Sequence, residues 1–203
     1  IDVQARAVEL VVKLRHPDTM KHLVPVLKEE SEFARRSAVE VLNEIAEPAT
    51  IKYLLTALED GDWWVRSRAS DALAKIGGPK VMDAVLHLVG DKNENIRRSA
   101  IEILNQTKDE RAVSHLIKAT QDTDWWVRER AADALAEIKS PKATPALVAM
   151  LKGDARSVPA ALRALGKIGS TDALPQVAAM LDRPEKEIRI EAVNAVGRLA
   201  NGQ

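Results

Sequence analysis

Apolar residues recur along the chain at helical spacing. Val65, Ala69, Ala72, Leu73 and Ile76 lie three or four apart and line one helix face; Trp64, Ser67, Arg68, Asp71 and Lys75 line the adjacent face. Asp62 stands where a side chain can cap the first free N–H groups, and Gly77 permits the left-handed turn that ends a helix. A helix is therefore expected from Asp62 to Ile76. A second is expected from Pro79 to Gly90, with Val81, Ala84, Val85 and Leu88 inward and Pro79 in the first turn, where its missing N–H is not needed. No run alternates with the period of a strand.

This helix pair repeats. The position held by Val65 in the segment Val65-Arg66-Ser67-Arg68-Ala69 falls successively on Val3, Ala34, Val65, Ile96, Val127, Ser157 and Ile188. The interval is 31 residues, except for one of 30. A fixed period of this size predicts a solenoid, because one pair cannot bury its apolar face without stacking on the next. The chain is thus read as an all-α superhelix and a single repeat domain over 1–203. A leading helix in 1–15 precedes six pairs of helix A and helix B, in 16–46, 47–77, 78–108, 109–139, 140–169 and 170–203, giving thirteen helices. Prolines keep the phase at Pro17, Pro48, Pro79 and Pro141, and Ala69, Ala131 and Ala161 let helices approach closely. Both terminal helices are apolar: Val3, Ala7, Val8, Val11, Val12 and Leu14 in the first, Ile188, Ile190, Val193, Val196 and Leu199 in the last. Further repeats, another domain or a dimer contact is expected at one or both ends. The chain opens on Ile1, as expected of a piece of a longer protein or a processed one.

The hydrophobic content is 46% but the aromatic content only 3%, so the core is aliphatic. Thirty basic residues balance thirty acidic ones, which argues against nucleic acid or an anionic membrane as partner. There is no cysteine and no apolar run long enough to span a bilayer. No signal peptide is visible, and a cytoplasmic location is the expectation.

The pattern Val-Arg-x-x-Ala-x-x-Ala-Leu-x-x-Ile-Gly, as in 65–77, resembles the HEAT-like repeats first described in phycobilin lyases. The resemblance covers essentially the whole chain and specifies fold far better than function. It implies that B helices line a concave surface. It also implies a ladder between neighbouring repeats, made by an aspartate after helix A and an arginine in helix B. Asp60 and Arg66, Asp91 and Arg97, and Asp122 and Arg128 match, and Glu29 and Arg35 approximate it. In the fifth unit Ser157 and Val158 replace the Val-Arg pair and Pro159 follows, so the ladder is expected to be interrupted there.

Asp62-Trp63-Trp64-Val65-Arg66 recurs as Asp124-Trp125-Trp126-Val127-Arg128, and these two segments hold all four tryptophans. Equivalent positions in flanking repeats carry Glu32-Phe33 and Glu94-Asn95, so the fold does not require tryptophan there. Two adjacent tryptophans cannot both point inward, and at least one of each pair is expected to be exposed, with Phe33 extending the aromatic row. A second row is acidic: Glu9, Glu40, Asp71, Glu102 and Asp133, flanked by Arg6, Arg36, Arg68, Arg98 and Arg130. It reads either as a self-neutralised solvated face, with i,i+3 pairs Arg68–Asp71 and Arg130–Asp133 and i,i+4 pairs Arg36–Glu40 and Arg98–Glu102, or as a carboxylate track for a basic peptide.

Catalytic signals are sparse. His16, His22, His87 and His115 are scattered, and no nucleophile elbow or phosphate loop is present. No catalytic residue, metal site or cofactor is assigned. The expected function is a non-catalytic scaffold that binds a protein or peptide segment in its groove. Its candidate contacts are Phe33, Trp63, Trp64, Arg68, Asp71, Glu102, Trp125, Trp126, Arg130 and Asp133. The alternatives are a tetrapyrrole-handling or lyase-type role implied by the resemblance, a regulatory domain appended to an enzyme or signalling protein, nucleic-acid binding, and an engineered array. Oligomeric state is left open.

Overall fold

A computed structural model describes residues 3–14, 16 and 18–201. Among them are thirteen α-helices, five short 3-10 segments and no strand. The chain divides into two compact units, Ile1–Val85 and Leu86–Gln203. In the first, the B helices α1 (Val3–Leu14), α3 (Glu32–Ile45) and α5 (Trp63–Ile76) pack in succession. The A helix α2 (Thr19–Val26) rests on α3, and α4 (Ile51–Ala57) touches both α3 and α5. Helix α6 (Gly78–Leu88) carries the boundary. In the second unit the B helices α7 (Glu94–Thr107), α9 (Trp125–Ile138), α11 (Val158–Ile168) and α13 (Lys186–Ala200) pack in succession, backed by α8 (Val113–Ala119) on α9, α10 (Thr144–Met150) on α11 and α12 (Leu174–Ala178) on α13. No helix among the described residues is long and apolar enough to cross a membrane.

The apolar stripe of α5 faces inward: Val65, Ala69, Ala72 and Leu73 are buried and Ile76 is half-buried. Leu42 and Leu54 anchor the first unit; Leu104, Leu116, Leu135 and Leu162 anchor the second, all with no exposed surface. Each such leucine contributes about 2 kcal/mol by burial. At the ends, Leu10, Leu14, Ile190 and Val193 are exposed; the side chain of Val3 lies outside the described residues.

Asp62 and Asp124 cap α5 and α9, accepting from the N–H groups of Trp64 and Trp126 at 3.0 and 3.1 Å. Helix A is shorter than the apolar spacing suggests. Segments Pro48–Thr50, Glu110–Ala112, Pro141–Ala143 and Thr171–Ala173 wind as single 3-10 turns before the α-helix begins. Hydrogen bonds to the third residue back, such as Thr50 N–H to Glu47 at 2.9 Å, tighten these starts. Helix α6 lacks this turn and runs from Gly78 to Leu88, two residues short of Gly90.

Three B helices end on a non-glycine residue in the left-handed region: Ala46 at φ 42°, Lys108 at φ 52° and Lys139 at φ 57°. Gly169 holds the same conformation without a Cβ penalty. Lys139 is exposed. Lys139→Gly is therefore expected to stabilise the protein by about 0.5–1 kcal/mol, the relief of left-handed strain outweighing the greater freedom of the unfolded glycine. A urea midpoint that falls contradicts this.

The fifth B helix is shorter than α5, α7 and α9, at 11 residues against 14. Ser157 precedes it in helical conformation and caps nothing. Its hydroxyl instead accepts from Arg128 Nε at 3.0 Å, while Arg128 Nη2 reaches Asp154 at 2.8 Å. The expected break therefore falls one step later: the contact into this repeat is made, but buried Val158 stands where the next arginine would be.

Candidate functional site

The turns that join helix A to helix B are tied down by arginines, and Arg35, Arg97 and Arg128 each serve two repeats. Arg97 Nη1 donates to the carbonyls of Asp91 and Lys92 in its own turn, at 3.0 and 3.2 Å. Its Nε and Nη2 form a fork to Asp122 in the next repeat, at 2.8 and 3.0 Å. Arg35 does the same with Glu29, Glu30 and Asp60. Arg66 and Arg128 likewise bind the carbonyls of Asp60 and Asp122. The aspartate of a turn thus lends its backbone oxygen to one arginine and its carboxylate to the arginine of the preceding repeat.

A second arginine row departs from the sequence expectation. Arg36 and Arg98 turn away from Glu40 and Glu102 and bind the cap residues Asp62 and Asp124, at 2.5 and 2.6 Å. Each cap aspartate then serves two masters, one oxygen for a helix N–H and the other for a guanidinium. The Arg36 hydrogen bond holds Asp62 below the usual carboxylate range. At Asp124 burial pushes upward, but the bonds from Arg98 and from Trp126 N–H outweigh it and the net direction is down.

The acidic row is consumed by the third arginine row. Arg68 forks Glu40 of the preceding B helix, both contacts at 2.7 Å, and reaches Asp71 at 3.2 Å. Arg130 grips Glu102 at 3.0–3.3 Å and Asp133 at 3.4 Å. These guanidinium groups also lie over the half-buried rings of Trp64 and Trp126, 5.7 and 5.9 Å from the ring centres. The same tryptophan–arginine–carboxylate cluster therefore occurs twice, once in each unit.

The other tryptophan of each pair is the more open one. Trp63 is 66% exposed and Phe33 61%. Trp125 is 38% exposed, with the Arg156 guanidinium 5.8 Å from its ring centre. Arg156 is held in turn by Asp154 at 2.8 Å. A flat, partly screened aromatic surface can stack on an apolar or planar side chain.

Two carboxylates sit unusually low. Glu137 is held down at about 2 by hydrogen bonds from Lys108 and Lys167, and Asp154 at about 2 by bonds from the Arg156 side chain and backbone N–H, with Arg128 adding attraction. Their folded values lie below those of an unfolded chain, so both contribute stability above about pH 4.5 and lose it as pH falls toward 2. The Glu137→Gln, Asp154→Asn variant is expected to lose stability less steeply than wild type across this window. Urea titrations at stepped pH check it, and equal slopes contradict it.

Among the described residues no group of three or more His, Cys, Asp or Glu side chains is placed to hold a metal ion.

The HEAT-repeats family profile matches residues 1–64, 20–98, 51–120 and 87–160, and the PBS lyase HEAT-like repeat matches 160–183. No curated protein matches the sequence. Among solved structures, the CpcE–CpcF complex of phycocyanin lyase from Nostoc sp. PCC7120 is 25% identical, with a TM-score of 0.52, over 89% of this chain and 65% of that one. A designed armadillo repeat protein in complex with the peptide (KR)4 is 20% identical, with a TM-score of 0.58, over 89% and 99%. The structure of Kap95p with RanGDP is 16% identical, with a TM-score of 0.70, over 100% of this chain and 34% of that one. The chain belongs to the HEAT-repeat family, an all-helical α-solenoid fold.

Proposed function

We propose that the protein is a non-catalytic interaction scaffold whose B-helix face binds a segment of another protein. The carrying observation is the exposure of Trp63 and Trp125 at positions where the same fold accepts Glu32 and Glu94. An exposed tryptophan that packing does not need is the usual raw material of an interface anchor. Phe33 extends this surface in the first unit. Beside the exposed ring, each unit has a half-buried one, Trp64 under Arg68 in the first and Trp126 under Arg130 in the second. Because Glu40, Asp71, Glu102 and Asp133 already accept from these arginines, a basic peptide would have to displace existing pairs. The acidic row therefore sets orientation rather than supplying the main attraction.

The test is a random-peptide display selection on the folded chain, with every enriched peptide rechecked on a Trp63→Ala, Trp125→Ala variant. Peptides that bind only the wild type are expected. If every enriched peptide binds both equally, the tryptophans are not anchors.

The likeness to the phycocyanin lyase complex supports a second reading, in which the aromatic surface stacks on a tetrapyrrole. A bilin titration that leaves both pigment absorbance and tryptophan emission unchanged removes it.

A further inference from the structure

The last turns of the B helices in the second unit enclose an open depression of about 440 Å³. Five cations line it: Lys108 after α7, Arg130 on α9, Arg163 and Lys167 on α11, and Arg198 on α13. Only two carboxylates, Asp133 and Glu137, line it with them. Both are shared. Glu137 bridges Lys108, at 2.8 Å, and Lys167. Asp133 lies 3.4 Å from Arg130 and 3.6 Å from Arg163. Glu102 and Glu129, from outside, hold Arg130 and Arg163 at 3.0 and 3.3 Å, and Glu191 is 4.0 Å from Arg163. Arg198 forms no ion pair with any described residue.

Room for Arg198 comes from Gly166. A Cβ there would stand 3.5 Å from Arg198 Cδ and 3.1 Å from Ala195 Cα, so the missing side chain lets α13 lie close and lets Arg198 cross over α11. Complementing the negative ends of four helices explains part of this basic character. It does not explain Arg130 and Arg163, which project from the middle of their helices.

We propose that this depression takes an acidic stretch of the bound partner, with two or more carboxylates spread along an extended peptide. This deepens the scaffold reading above and rests on it. Lys108, Lys167 and Arg198 are exposed, Arg130 and Arg163 are partly buried, and four successive B helices present them, so they match several charges along a chain better than one compact anion. Lys108 and Lys167 are exposed and share one carboxylate between them, so each can take a ligand carboxylate alongside Glu137, while Arg198 gains its first partner.

The experiment measures binding of a dye-labelled peptide of alternating aspartate and glycine by anisotropy, against the same peptide with lysine for aspartate. The acidic peptide is expected to bind the full chain, more weakly at higher salt, and about tenfold more weakly to Arg198→Glu. Lys52→Glu, an exposed change in the first unit, should leave it unaltered. Preference for the lysine peptide, or equal binding by Arg198→Glu, overturns the proposal. So does complete displacement by an equal concentration of inorganic phosphate, which would mark a small-anion site. If display peptides depend on Trp63 and Trp125 while the acidic peptide does not bind, this inference falls alone and the scaffold reading stands.

Discussion

Arg97→Ala is expected to lower the stability of the protein by about 3 kcal/mol. The Arg97 and Asp122 side chains are only 12% and 10% exposed. Removing the guanidinium leaves Asp122 nearly buried without its forked partner, and leaves two turn carbonyls without their donor. Breaking one side of a buried pair costs about 3–5 kcal/mol, and the lower end applies because water can reach the edges of this one. An exposed pair gives the contrast. Arg6 and Glu9 are 56% and 43% exposed, and Arg6→Ala should cost no more than about 0.5 kcal/mol. Urea unfolding of the two variants side by side checks both figures. Equal losses would mean that the ladder contributes no more than a surface ion pair. Asp122→Asn in the Arg97→Ala background should recover part of the loss, because the orphaned charge is then gone.

The second large effect concerns binding. Trp63→Ala combined with Trp125→Ala is expected to weaken a display-selected peptide by about 2–4 kcal/mol while leaving helicity unchanged. Both residues lie in the first turn of their helices, outside the buried stripe, and the fold tolerates glutamate at the same positions. Stability should therefore move by less than about 1 kcal/mol. Trp64 and Trp126 behave differently. Each is half-buried beneath an arginine that grips two carboxylates, so truncation there disturbs an interhelical cluster as well as any binding surface. Loss of binding in those variants alone would not identify an anchor.

The helices were legible because their rules are local. Apolar spacing located the buried stripe of α5, and Asp62 and Asp124 announced the helix starts by their chemistry. The 31-residue period by itself implies stacking. What stayed hidden depends on reach between repeats. Arg36 and Glu40 are correctly spaced for an i,i+4 pair, yet Arg36 reaches Asp62 in the next repeat, because that carboxylate is more buried and already oriented by a helix N–H. A signal did exist: the doublets Arg35-Arg36 and Arg97-Arg98 each precede an Asp-x-Asp by the same interval, and each arginine takes one aspartate. The exposure of the tryptophans followed from steric reasoning about adjacent residues, but which member of each pair would be covered did not. Arg68 and Arg130 lie over Trp64 and Trp126 and cover those members, and Arg156, from the altered fifth unit, screens part of Trp125. The basic depression was also invisible, since its five cations come from four repeats and from four different positions within the repeat, beside a more regular acidic line.

All four tryptophans of the protein lie in the two Trp-Trp pairs, so tryptophan emission reports on no other part of the chain. The most direct measurement is titration of a display-selected peptide followed by tryptophan emission and by calorimetry in parallel. A saturable emission change with the same Kd as the heat signal is expected, losing most of its amplitude in the Trp63→Ala, Trp125→Ala variant. Binding heat with unaltered emission would place the partner elsewhere and contradict the tryptophan anchors.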